Sequence, residues 1–125
     1  MRALFQLFLL GALATPAAAA EPHQIFGYAG VLGEWELTAS VTANDRTKDF
    51  VGPLTMTHVG ICSVDGPEQK KGEIRFQISE SPARMRATLL VEGAECSYDG
   101  RLSDSYTGKL TCPGRPAVPL SIWLK

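Results

Sequence analysis

Residues 84–100 read RMRATLLVEGAECSYDG, and the reading of this stretch decides the fold. Met85, Ala87, Leu89 and Val91 alternate with Arg84, Arg86, Thr88 and Leu90, and after Glu92-Gly93 a second alternating run begins at Ala94. Apolar residues at every second position put one strand face in a core and the other in water, and Glu92-Gly93 suits a two-residue hairpin turn. With these two residues as the turn, Val91 faces Ala94, Leu89 faces Cys96 and Ala87 faces Tyr98, so apolar side chains oppose apolar ones, as a buried face requires.

The same grammar extends in both directions. A second hairpin with its turn centred on Asp104 opposes Leu102 to Tyr106, Gly100 to Gly108, Tyr98 to Leu110 and Cys96 to Cys112, and it leaves Ser97, Asp99, Arg101, Thr107, Lys109 and Thr111 on the other face. The paired glycines mark a place where the sheet bends or a large neighbour leans over it. Upstream, Trp35, Leu37, Ala39 and Val41 form one alternating set, and Ile74, Phe76 and Ile78 form another; Val118, Leu120, Ile122 and Leu124 close the chain. Turn clusters at Asp65-Gly66-Pro67, Ser81-Pro82 and Pro113-Gly114-Arg115-Pro116 separate these runs. The prediction is an all-β antiparallel meander of about seven or eight strands, closed into a barrel so that no edge is left open, with a small β-sandwich as the alternative.

Three segments fit the pattern less well. Leu54, Met56, His58, Cys62 and Val64 share one parity while Val59 and Ile61 take the other, which makes Gly60 a candidate bulge. Residues 43–51 (ANDRTKDFV) read as a polar connection. Residues 21–32 (EPHQIFGYAGVL) read as an apolar N-terminal arm without a period, draped over one end of the sheet.

Residues 1–20 have the order of a secretory signal peptide: Arg2, an apolar stretch from Ala3 to Ala14, Thr15-Pro16, and small residues up to a cleavage site near Ala20. The apolar stretch is shorter than the roughly 20 residues that span a bilayer. The expected organisation is a signal peptide (1–20), an arm (21–32) and one β-barrel domain (33–125), periplasmic or secreted, with no stable membrane insertion after cleavage. The net charge of the 125 residues is −1. The charges are scattered with mixed signs, and the one adjacent basic pair, Lys70-Lys71, falls in a turn-like stretch. Nucleic acid and anionic membranes each require a basic patch, so neither is expected as a partner.

Cys62, Cys96 and Cys112 leave one cysteine over in a compartment that permits disulfides. The hairpin register places Cys96 and Cys112 opposite each other, about 4.5–5.5 Å apart at Cα, which suits a disulfide and leaves Cys62 a free thiol. A rival pairing, Cys62 with Cys96, is suggested by the repeat CSVDG (62–66) and CSYDG (96–100). Asp-Gly is a common strand-end dipeptide, however, and the flanks of the two copies differ.

Residues with catalytic chemistry are few. His58 and Cys62 are four apart, roughly 13 Å along a strand, which forms neither a thiol–imidazole dyad nor a zinc site. The carboxylate pairs Glu34/Glu36 and Glu92/Glu95 follow from alternation and turn composition, and Gly27 to Gly33 lacks the lysine of a phosphate loop. No catalytic residue, metal ligand or cofactor is expected, and the chain is not read as an enzyme. Gly33-Glu34-Trp35 resembles the G-x-W motif that opens the first strand of lipocalin-like and avidin-like barrels at their closed end. The small bacterial β-barrel inhibitors of secreted metalloproteases are similar in that motif, in size and in compartment. The resemblance implies a barrel with Trp35 as a core plug, and an inhibitor role in which residues 21–32 enter a protease cleft. The expected function is therefore an exported, non-enzymatic module that binds a small apolar ligand or an exported protein. Met56, Phe76 and Leu89 would line a cavity, and the outward Trp123 is either covered by residues 21–32, which is the favoured reading, or serves as a contact. The alternative is a structural accessory of the cell envelope without a ligand.

Overall fold

The computed structural model describes residues 21–59 and 68–124. The expected signal peptide, the candidate bulge at Gly60, the expected free thiol of Cys62 and the CSVDG copy lie outside the described residues. Each alternating run becomes a strand: β1 (His23–Ala29), β2 (Trp35–Asn44), β3 (Asp49–His58), β4 (Gln69–Glu80), β5 (Ala83–Val91), β6 (Ala94–Leu102), β7 (Tyr106–Thr111) and β8 (Val118–Leu124). Every strand pairs antiparallel with its sequence neighbours, and β8 returns to β1, so the sheet is a closed meander barrel and not a sandwich. Among the described residues there is no helix.

The register of the two hairpins in β5–β7 is the one the sequence predicts. Val91 pairs with Ala94, Leu89 with Cys96 and Ala87 with Tyr98; Leu102 pairs with Tyr106, Gly100 with Gly108 and Tyr98 with Leu110. Glu92 and Gly93 both have positive φ, 47° and 83°, the mirror-image turn whose twist matches that of its strands. Cys96 and Cys112 form the disulfide at a Cα separation of 4.3 Å, so Cys96 does not pair with Cys62.

Four expectations are corrected. The apolar arm is in large part a strand: β1 lies between β2 and β8, so closure runs through it. Its alternation is hidden because the outward residues Phe26 and Tyr28 are aromatic, while inward Gly27 carries no side chain. A Cβ on Gly27 would come within 2.6 Å of the Ser121 carbonyl oxygen of β8, so close strand approach removes the very residue that would have shown the period. Residues 43–51 are not a connection from end to end, because β2 runs to Asn44 and β3 starts at Asp49. Asp49 is buried and accepts a hydrogen bond from the Gln77 amide, and Phe50 stacks on Phe76 with ring centroids 5.0 Å apart. A buried carboxylate at the start of a strand reads as loop in one dimension. Lys70-Lys71 lies in β4, not in a turn, and the strand that begins before Leu54 ends at His58.

The inward residues make one continuous core that includes Leu37, Val41, Ile74, Met85, Leu89 and Ile122, each fully or almost fully withdrawn from water. Tyr98 places a phenol inside this core. Its ring lies against Gly100, where a Cβ would meet the Tyr98 hydroxyl at 2.3 Å, which is the leaning neighbour that the paired glycines imply. The hydroxyl donates to the carbonyl oxygens of Tyr106 (2.9 Å) and Leu120 (3.0 Å), one proton shared between two acceptors. It thereby ties β6 to β7 and β8, and burial, with the charge of Asp99 second, pushes the phenol up to about 12.

Candidate functional site

The two ends of the barrel are finished by different side chains. Phe50, Phe76 and Ile78 fill one end, with the His23 ring edge-on to Phe50 at 5.8 Å. At the other end the inward positions of β1, β5, β6 and β8 carry the small side chains Ala29, Val91, Ala94 and Val118. A cleft of about 390 Å³ opens there, with Met56, Cys96, Leu110 and Cys112 also in its wall. That volume is in the range of small-molecule sites, which are concave, mostly apolar and edged by a few polar groups.

The polar groups of the cleft each have a local origin. Trp35 pairs across β2–β3 with His58, and their rings meet edge to face at 4.7 Å. Lys70 shares the inward parity of Ile74 and Phe76, pairs with Met56, and holds its Nζ 5.2 Å from the centre of the Trp35 ring. An ammonium over an indole face is an attractive pair, and it keeps a cation at the rim of an apolar hollow. Glu34 is turned to another task. Its Oε2 accepts the Leu32 N–H at 2.9 Å, and its carboxylate occupies the space that a Cβ on Gly30 would need. Gly30 has φ 100°, so the carboxylate and the glycine together shape the β1–β2 loop. Glu92 and Arg115 complete the rim from the β5–β6 turn and the β7–β8 loop.

The predicted contact residues separate. Met56 lines the cleft, whereas Phe76 and Leu89 are core residues with 2% and 0% exposure and form no part of its wall. Trp35 is partly buried: it packs against the core and also forms cleft wall, so the G-x-W end of this barrel is the end that carries the cleft. Trp123 points outward as its parity requires. It stands opposite Phe26 and edge-on to Tyr28 at 5.9 Å, so β1 covers part of it and leaves 38% exposed. His23 and His58 belong to opposite ends of the barrel. Among the described residues no group of three or more His, Cys, Asp or Glu side chains is placed to hold a metal ion.

Sequence reading missed Lys70, Ala29, Ala94 and Val118 as site residues. The signal was present for Lys70: counting back by twos from Phe76 puts a lysine on the apolar face, and an inward cation at a strand end is a rim residue. The small residues gave none, because alanine and valine in a strand are ordinary. Comparison of the chain with protein-family models, with curated proteins and with solved structures finds no match.

Proposed function

We propose that the protein is an exported, non-enzymatic binding module that takes a small apolar ligand into the open end of its barrel. The observation that carries this reading is the cleft of about 390 Å³ with its apolar wall of Ala29, Trp35, Met56, Ala94 and Leu110, on a barrel whose other end is filled. Enclosing apolar surface there contributes about 25 cal/mol per Å² removed from water, and Lys70 supports a ligand with an electron-rich or acidic head at the rim. The disulfide supports export, since such bonds persist in oxidising compartments. It also lies in the cleft wall, where it holds β6 and β7 together at the rim.

Trp35 reports on this reading directly. In a Trp123→Phe background it is the remaining tryptophan, and titration with 1-anilinonaphthalene-8-sulfonate and with alkanoic acids of increasing chain length should change its emission saturably. Native mass spectrometry should show one ligand per chain. Emission that stays flat for every probe, together with an unshifted mass, would reject the proposal in favour of an accessory role without a ligand.

A further inference from the structure

The barrel register sorts charges that lie scattered along the chain. On the outer face of β4–β7, Arg84 stands opposite Arg101, Arg86 opposite Asp99, and Asp99 opposite Lys109. Arg75 stands one row nearer the open end, opposite Thr88. Five cations against one carboxylate make +4 on a chain whose net charge is −1, so the remainder of the chain carries −5. The next row, Glu73, Leu90 and Glu95, bounds the patch. Strand spacing of about 4.8 Å and a same-face repeat of about 6.7 Å keep neighbouring cations within a Debye length of one another, so their fields add.

Little within the wall neutralises it. Arg84 grips both oxygens of Asp99, and Arg86 reaches the same carboxylate only at 4.0 Å. Among the described residues no carboxylate comes within 4 Å of Arg75, Arg101 or Lys109. Like charges directly opposite each other in a sheet oppose folding, and Asp99, gripped by Arg84 and held low also by the charges of Arg86 and Arg101, offsets only part of the Arg84–Arg101 repulsion. The wall suits an external anion.

We propose that this wall binds an acidic polysaccharide. The other outward positions around the cations are Gln77, Ser79, Thr88, Ser97, Thr107 and Thr111. Guanidinium forks flanked by threonine and serine hydroxyls suit carboxylate and sulfate oxygens, while the Gln77 amide at the edge of the wall is already taken by Asp49. None of these positions is aromatic, so no platform stacks nucleic-acid bases. None is apolar, and the exposed Leu90 in the bounding row stands between Glu73 and Glu95, which is too little to anchor a bilayer. The cations are spread over three rows of an open wall, which fits the repeating charges of a polymer better than one small anion. This surface is separate from the cleft and does not depend on what the cleft holds.

Titration of the purified protein with heparin and with polygalacturonate over a series of salt concentrations tests the proposal. The protein should bind both at low salt, with log affinity falling linearly as log salt rises. Arg86→Gln and Lys109→Gln should each reduce that slope by about 1. Lys70→Gln, at the cleft rim, should leave the slope unchanged, and Asp99→Asn, which raises the wall from +4 to +5, should tighten binding. Failure to bind either glycan at low salt would overturn the proposal. So would an equal loss with Lys70→Gln, or tighter binding to phosphatidylglycerol vesicles or single-stranded DNA than to either glycan.

Discussion

At the closed end of the barrel the inward positions carry Phe50, Phe76, Ile78 and Tyr106; at the open end they carry Ala29, Val91, Ala94 and Val118. The same eight strands run through both ends, and strand number and stagger set a barrel's diameter along its whole length. Side-chain volume therefore decides whether an end fills or stays hollow. Two phenylalanines stacked across β3 and β4 make the closed end a source of stability, and alanines across β1 and β6 make the open end a receptacle. The closed end should be intolerant of substitution and the open end tolerant of it, except where the disulfide crosses.

Phe76→Ala should have the largest effect, a loss of about 3–5 kcal/mol, because the space beneath Phe50 cannot collapse. Chemical denaturation measures it, and a loss below about 1 kcal/mol would show that the closed end does not hold the barrel together. The Cys96→Ser, Cys112→Ser double variant tests the exception at the open end. Releasing a link between residues 16 apart should cost about 3 kcal/mol, and reduction of the wild type should reproduce the loss. Tyr98→Phe should cost about 1–2 kcal/mol by removing the donor to the Tyr106 and Leu120 carbonyls. The pH dependence has a definite sign. The folded phenol titrates near 12 against an ordinary 10.0, so its stabilisation is complete below about pH 10 and is lost as pH rises toward about 12. The wild type should lose stability faster than Tyr98→Phe over that window. Ala94→Trp should change stability least, by less than about 1 kcal/mol, because the added ring enters a hollow already open to water. It should nevertheless abolish probe binding, and retained binding would place the ligand elsewhere.

Legibility along the chain followed the contrast between the two faces of each strand. In β5–β7 charged and hydroxyl residues stand outside and aliphatic ones inside, so parity, turn and register could all be read, down to the pairing of Gly100 with Gly108 and the disulfide beyond it. In β1 the outer residues Phe26 and Tyr28 are as apolar as the inner ones, and Gly27 is small because β8 approaches too closely for a side chain. There the contrast vanished, and a strand read as an arm. Asp49 failed for the opposite reason: a buried carboxylate held by Gln77 imitates a loop residue. Of the candidate site, Met56 and the Cys96–Cys112 bridge were anticipated.

Local order along the chain was sufficient for the class of fold, the two hairpin registers and the sulfur bridge, because side-chain parity and turn chemistry act between residues near in sequence. Which end stays hollow, how Lys70 comes to lie over Trp35, and how Arg75 joins the Arg84, Arg86, Arg101 and Lys109 that the two hairpin registers already bring together were decided only by the tertiary structure. Those neighbours lie on different strands, and their distances depend on the register accumulated around the barrel.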